Sequence, residues 1–311
     1  MNTMSRVEDF LPKSDLLTIV VPIRADGRDV GNLIDFVRRI PFKVILIRDG
    51  SHSDTDIFLD DLANDVGHRI TLVKVDVKSP GLARNLGLMC VKTHFVTFYD
   101  ADDQYPETAS IEDFLLSTIR SGADLAAGDF QVVQDSQGAI CRSVPKTLSL
   151  LLRDQPGIWR FIFRTAFLRE NRIEFEALRM GEDVLFLMDC LNANPVYTAH
   201  SKVVYTYKIG DPGQATNSES ARMHFLMLLE RLEARFQSRH SDHDRELISY
   251  LWVKTVLYCL IRTNFQLRSR VFLHLNRTMR RNPRLLELSV RNLPRSVKWL
   301  AKSRYSKRQV R

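Results

Sequence analysis

Residues His94 to Asp103 read His-Phe-Val-Thr-Phe-Tyr-Asp-Ala-Asp-Asp, an apolar and aromatic run that ends in three carboxylates within four positions. Acids crowded at the mouth of a buried strand repel one another and lose solvation, so a cation is expected beside them. A divalent metal carrying a diphosphate meets that need, because hard cations such as Mg2+ combine one or two carboxylates with phosphate oxygens. A solvated turn whose acids cap the next helix is the plainer reading. The strongly apolar strand in front of it argues for the ligand site. Asp100 and Asp102, at alternate positions, can turn toward one ligand, one to a ribose hydroxyl and the other to the metal.

Four further segments carry polar groups with chemical potential. Asp49-Gly50-Ser51 is an ordinary turn by itself, but beside the acids at 100–102 Asp49 becomes a candidate acceptor for a nucleobase edge. Pro80-Gly81-Leu82-Ala83-Arg84-Asn85-Leu86-Gly87 opens a helix with small residues suited to close packing, and Arg84 is placed to reach phosphate. Gly181-Glu182-Asp183 puts two acids on the first turn of an apolar helix, as dipole-friendly charge or as a general base. Tyr205-Thr206-Tyr207-Lys208 leads into Gly210-Asp211-Pro212-Gly213 and Ser218, a surface loop or a lid that closes over phosphates with Lys208 as counter-charge. The eight histidines show no metal-binding spacing, and no Walker loop, GxSxG or GxGxxG occurs. P-loop, serine-hydrolase and dehydrogenase chemistries therefore lack their parts.

Alternating strands and helices must hold these groups. Leu16–Pro22, Lys43–Asp49, Ile70–Val77 and His94–Asp100 are continuously apolar or β-branched, the pattern of strands covered on both faces. Val30–Ile40, Thr55–Val66 and Gly81–Val91 between them have helical spacing, with Asp54 as N-cap of the second and Gly67 as its stop. The order predicts a doubly wound, mostly parallel sheet flanked by helices, with ligands at the carboxyl ends of its strands. Ser110–Gly122, Thr147–Arg153, Ile158–Asn171 and Gly181–Asn192 read as further helices. Asp124–Val133 and Ala139–Val144 read as a hairpin, Val196–Tyr207 as a strand, and the chain beyond Ser220 as helical.

The formal charge of +8 is unevenly spread. From Arg268 to Arg311 fourteen Lys and Arg stand against one acid, Glu287, a local +13 that leaves −5 on residues 1–267. Asn292–Arg311 sets Leu293, Val297, Leu300 and Tyr305 among basic residues beside Trp299, the composition of an interfacial amphipathic helix. An anionic membrane surface is thus the expected partner of the tail. Nucleic acid is not expected, because the body lacks basic–aromatic interleaving. No apolar run is long enough to cross a bilayer, and Met1–Lys13 shows no signal-peptide core. Four separated cysteines, three of them in apolar surroundings, suit a reducing compartment. The expected location is cytoplasmic, peripheral on the inner face of the cytoplasmic membrane.

Taken together, Thr18–Pro22, Arg48-Asp-Gly-Ser51, Gly81–Gly87, Phe98–Asp103, Ile158–Arg164, Phe175, Gly181–Asp183 and Tyr205–Lys208 resemble a family 2 glycosyltransferase with the GT-A fold. Their order is similar to that of bacterial members that build surface polysaccharide or lipopolysaccharide. The resemblance implies a catalytic domain over residues 1–218 and a helical C-terminal region with the basic tail over 219–311. It implies inverting transfer from a nucleotide-sugar donor, UDP-linked, to a glycan or lipid-linked acceptor. Pro22, Asp49, Arg84, Asp100 and Lys208 would bind the donor, Asp102 would hold Mg2+ or Mn2+, and Asp183 would be the catalytic base. Two departures stand out. Arg48 replaces the first of two acids usual before Gly-Ser, and Ile23-Arg24-Ala25-Asp26 replaces a Tyr-Asn, leaving Asp26 as a candidate nucleotide contact. A non-catalytic scaffold of this fold and a sugar-phosphate nucleotidylyltransferase are the alternatives. The latter should carry a Gly-rich, Arg-containing loop after the first strand, and Ile23–Asp29 does not supply one.

Overall fold

Strongly apolar segments form the centre of a sheet, as their composition requires. The computed structural model of the chain describes residues 12–24, 30–50, 53–134, 137–209, 222–238 and 241–308. It opens with α1 (Lys13–Leu16), β1 (Leu17–Arg24), α2 (Val30–Arg39), β2 (Lys43–Asp49), α3 (Ser53–Val66), β3 (Ile70–Val75), α4 (Pro80–Cys90) and β4 (Phe95–Phe98). Then come α5 (Thr108–Ser121), β5 (Leu125–Gln134), β6 (Gln137–Arg142), α6 (Leu148–Asp154), β7 (Phe161–Arg164), α7 (Thr165–Glu170), α8 (Glu182–Asn192) and β8 (Tyr197–Ile209). Four helices follow: α9 (His224–Ser238), α10 (Asp242–Arg262), α11 (Phe265–Arg281) and α12 (Pro283–Arg308).

The strands make one sheet in the order β3-β2-β1-β4-β7-β5-β6, with β8 paired to β5. Pairing is parallel from β3 to β4 and between β5 and β8, and antiparallel around β7 and along the β5–β6 hairpin. Alternate residues take opposite faces. Leu17, Ile19, Val21 and Ile23 of β1 join Val44 and Leu46 of β2 against Phe36 of α2, Leu59 of α3 and Phe114 of α5. Val20 and Ile47 point the other way, to α4. There a Cβ added to Gly87 would lie 2.4 Å from Val20 Cγ1, so only glycine permits that approach.

The chain divides into two compact units: Met1–Leu151 with Pro156–Ala177 and Phe186–Gly210, and Leu152–Gln155 with Leu178–Leu185 and Asp211–Arg311. In the second unit α10 buries residues around most of its circumference, including Leu247, Leu251, Trp252, Val256 and Cys259, as a helix enclosed by others must. Glu233 of α9 accepts hydrogen bonds from Trp252 Nε1 (3.0 Å), His274 Nε2 (2.7 Å) and Thr278 Oγ1 (2.7 Å), joining three helices at one carboxylate. Burial raises its pKa, but these donors outweigh burial and hold it below the ordinary carboxylate value.

Three expectations change. Ile158–Asn171 is not one helix: a single 3-10 turn, Ile158–Arg160, precedes β7, and α7 follows. Its Phe161–Arg164 run instead satisfies the inner edges of β4 and β5, with Val96 opposite Phe163 and Ala126 opposite Ile162. Cys190 and Cys259 are buried while Cys90 and Cys141 are exposed, two enclosed thiols rather than three. The tail does not turn Leu293, Val297 and Leu300 to one side. Leu300 is buried with Leu285, Asn292 and Ser296, whereas Val290, Leu293 and Val297 are exposed. Asn292 Nδ2 donates to Ser249 Oγ at 2.9 Å, seating α12 on α10. The side chains of residues 302–311, including Tyr305, lie outside the described ones, as do Asp26, Ser51, the side chain of Asp54, and Gly210–Ser218 of the expected lid. Among the described residues no helix is long and apolar enough to cross a membrane.

Candidate functional site

The carboxyl ends of β1, β2 and β4 carry Pro22, Asp49 and Asp100 in the first unit. Register sets Pro22 opposite Ile47 and Arg24 opposite Asp49. Pro22 is half-buried, and Arg24 is exposed.

Asp49 is a tether. Its Oδ1 accepts the backbone N–H groups of Val77 (2.8 Å) and Lys78 (2.9 Å), and its Oδ2 accepts that of Ser79 (3.1 Å). Ser79 in turn caps α4, accepting the Leu82 N–H. One carboxylate at the end of β2 thus fixes the loop that launches the Arg84 helix, and one lone pair of Oδ2 remains for another donor. Arg48, beside it, is buried and pairs with Asp56, Nε to Oδ1 at 2.6 Å and Nη2 to Oδ2 at 3.0 Å. The arginine that replaces an acid brings its own counter-charge from α3. Replacing Asp49 with alanine strands three amide donors, each loss worth about 1 kcal/mol where partly solvated. The expected fall in Tm is about 4–8 °C, with a smaller fall for Asp49→Asn, which keeps Oδ1. A Tm unchanged in both variants, read by calorimetry, would contradict the tether.

Arg84, on α4, is buried and donates from Nη2 to Asp100 Oδ1 at 2.7 Å. Its guanidinium lies 5.5 Å from the centre of the Phe175 ring. Asp100 is held by its backbone as well: its N–H donates to the Tyr205 hydroxyl at 3.2 Å, and its carbonyl accepts the Tyr105 hydroxyl at 3.0 Å. Tyr205 donates its own hydroxyl hydrogen bond to Asp103 Oδ2 at 2.9 Å, while Asp103 Oδ1 accepts the backbone N–H of Lys208 at 2.9 Å. The end of β8 is therefore pinned to the acidic turn, and Lys208 is carried there with it.

The three acids have different surroundings. Asp103 is buried, and its pKa is pushed up to about 8, chiefly by loss of solvent and then by the charge of Asp100, with Asp102 adding. Burial likewise drives the Tyr105 and Tyr205 phenols well above their ordinary value, and the neighbouring acids add to it. This concentrated negative potential is what a divalent cation relieves. Among the described residues no group of three or more His, Cys, Asp or Glu side chains could enclose a metal by itself. These oxygen donors are of the kind a hard ion completed by phosphate takes, and Asp102 is partly solvent-accessible.

Asp183 belongs to the second unit. Gly181, at φ +85°, turns the chain into α8 in a conformation that disfavours a side chain. Asp183 Oδ1 accepts the N–H of Val184 at 2.8 Å. In the same unit Lys254 Nζ donates to the Arg153 carbonyl at 2.7 Å and sits 4.1 Å from the Trp299 ring centre. Burial lowers the Lys254 pKa to about 8, while Asp154 and Asp183 pull it upward.

Sequence reasoning singled out Tyr205 only as the lead into a loop, and missed Tyr105 and Asp56 as parts of this assembly. Only the alternating tyrosines of Tyr205-Thr206-Tyr207 hinted at it. Trp159, placed by the 3-10 turn, stacks on both rings at 4.6 and 5.5 Å.

Comparison with known proteins adds three findings. A family model described as Glycosyl transferase family 2 matches residues 18–173. The poly(ribitol-phosphate) beta-N-acetylglucosaminyltransferase TarS of Staphylococcus aureus (strain Mu50 / ATCC 700699) is 26% identical over 248 residues, 72% of this chain. The match spans 42% of that relative, so the chain corresponds to less than half of its length. Among solved structures, S. aureus TarS 1-349 in complex with UDP-GlcNAc gives a TM-score of 0.64 at 16% identity, covering 81% of this chain and 77% of that one. A Pyrobaculum calidifontis mannosyltransferase in complex with GDP-Man and Mn2+ gives 0.53 at 12% identity, covering 93% and 92%. These likenesses show a GT-A-like α/β fold.

Proposed function

Because the chain belongs to glycosyl transferase family 2, we propose that it moves a sugar from a UDP-linked donor to a glycan or lipid-linked acceptor, with inversion, in surface polysaccharide synthesis. The observation that carries this reading is the cluster of Asp100, Asp102 and Asp103 just beyond β4, where burial first and the charge of Asp100 next push Asp103 up to about 8. A fold that keeps such repulsion at the end of its central strands has a cation and a phosphate to receive.

In this proposal Pro22 and Asp49 border the nucleobase, with the remaining lone pair of Asp49 Oδ2 accepting a base N–H. Asp100, aimed by Arg84, accepts a ribose hydroxyl. Lys208 faces the diphosphate as counter-charge. Mg2+ or Mn2+ on Asp102 would supply Lewis-acid stabilisation of the leaving diphosphate. Asp183 takes the proton from the acceptor hydroxyl. The acceptor oxygen then bonds to the anomeric carbon from the face opposite the leaving group, as the bond from that carbon to the phosphate oxygen breaks. Its electron pair leaves with the nucleoside diphosphate, so an α-linked donor gives a β-linked product. A lipid-linked acceptor places the work at a membrane, and the proposal includes peripheral attachment of this cytoplasmic enzyme through its basic C-terminal region.

The test is incubation with UDP-GlcNAc, UDP-glucose, UDP-galactose or GDP-mannose, with Mn2+ and extracted surface glycans, followed by proton NMR. Release of nucleoside diphosphate with a β-configured first product supports the reading. Retained configuration, or no release from any donor, overturns it.

A further inference from the structure

One helix of the C-terminal region is basic and has no acid of its own, while Glu230 of α9 lines the same hollow as its Arg270 and Arg277. α11 carries Arg268, Arg270, Arg277, Arg280 and Arg281 in seventeen residues and no acid. Among the described residues none of these guanidinium groups is paired with a carboxylate. On α12, by contrast, Arg284 and Arg291 share Glu287, and Arg295 reaches Glu246. By sequence α12 holds eight Lys and Arg against one acid and α11 five against none, and the described ion pairs of these residues fall on α12.

α11 also carries large apolar side chains that the described residues leave exposed. Leu267, Val271 and Thr278 face inward. Phe265, Phe272 and Met279 recur every seventh residue, which sets them on one outward line, and they are 84%, 61% and 51% exposed. Arg268 lies along the same line. Leu273, 59% exposed, stands on the arginine-bearing side. Large apolar side chains kept in water beside Arg268 and Arg280, the arginines that share their side of the helix, have the composition of a helix lying in a membrane interface, where the rings enter the acyl boundary and the guanidinium groups meet headgroup phosphates.

We propose that the outward face of α11, through Phe265, Phe272 and Met279 with Arg268 and Arg280, is the surface that docks this protein on an anionic phospholipid bilayer. Charge selects the occupant. An isologous contact with a second copy would bring Arg268 and Arg280 against the same two with no acid on the face to offset them, whereas an anionic leaflet supplies phosphate to each. This deepens the proposed membrane attachment and rests on it, moving the contact from the tail to α11.

The test is flotation of the full chain with vesicles of phosphatidylcholine containing 30% phosphatidylglycerol, against phosphatidylcholine alone. The wild type is expected to float only with the anionic vesicles. A triple variant, Phe265→Ser with Phe272→Ser and Met279→Ser, should partition about 10-fold or more weakly. Val290→Ser with Val297→Ser, on exposed positions of α12, should retain binding. Undiminished flotation of the triple variant, or loss confined to the α12 variant, overturns the assignment. So does a wild type that ignores anionic vesicles and sediments as a dimer dissolved by the α11 changes. Each preparation is also assayed for its thermal shift with UDP and Mn2+. Absence of that response with flotation intact contradicts the transferase reading and leaves the docking surface standing.

Discussion

Asp183→Asn is expected to lower sugar transfer by about 10^2–10^4-fold, the range in which a positioned general base acts, with UDP binding unchanged. The substitution suits the question because of its local setting. Asp183 Oδ1 accepts the N–H of Val184, and the amide oxygen of asparagine can do the same, so the start of α8 should persist. What the variant loses is a basic oxygen able to take a proton from the acceptor hydroxyl. The effect should fall on kcat, with the KM for donor little changed, because no donor contact is removed. Steady-state kinetics with saturating acceptor, with calorimetric titration of UDP alongside, provides the measurement. Turnover equal to the wild type would move the base elsewhere, to Glu182 first, which is buried one residue earlier.

Asp102→Asn should abolish metal-dependent nucleotide binding and reduce turnover by about 10^3-fold or more, since charge stabilisation of a leaving group contributes several kcal/mol. Folding should respond differently. Asp102 is one of the charges that raise the Asp103 pKa, so neutralising it relieves repulsion in the metal-free protein. The metal-free Tm is therefore expected to hold or rise while activity collapses, the exchange between stability and function found at strained sites. A calorimetric scan of the metal-free variant decides this. A fall in Tm of more than about 4 °C would assign Asp102 to the fold.

The sheet was legible because its signal is local. β2 falls on the expected Lys43–Asp49, and α2 and α4 begin and end within one residue of their predicted bounds. Continuous apolar strands and regularly spaced helices report themselves through neighbours in sequence. β7 did not, because Ile158–Asn171 has aromatic and aliphatic residues at helical intervals and its strand state depends on pairing with β4 and β5. The acids were visible by type, but their division of labour was not. Asp49 holds amides twenty-eight to thirty residues away, and Tyr205 reaches Asp103 across more than one hundred. No pattern near either residue announces such a bond. The expected boundary after residue 218 likewise followed the onset of helical text, whereas Leu152–Gln155 and Leu178–Leu185 group with the later helices through contacts distant in sequence.

A nucleotide–metal site built on Asp49, Asp100 and Asp102 should declare itself in calorimetric titration of UDP into the full chain. Binding in the micromolar range with Mn2+, abolished by EDTA and by Asp102→Asn, is the predicted result. No heat with UDP, GDP or a sugar nucleotide, with or without Mn2+ or Mg2+, would contradict it.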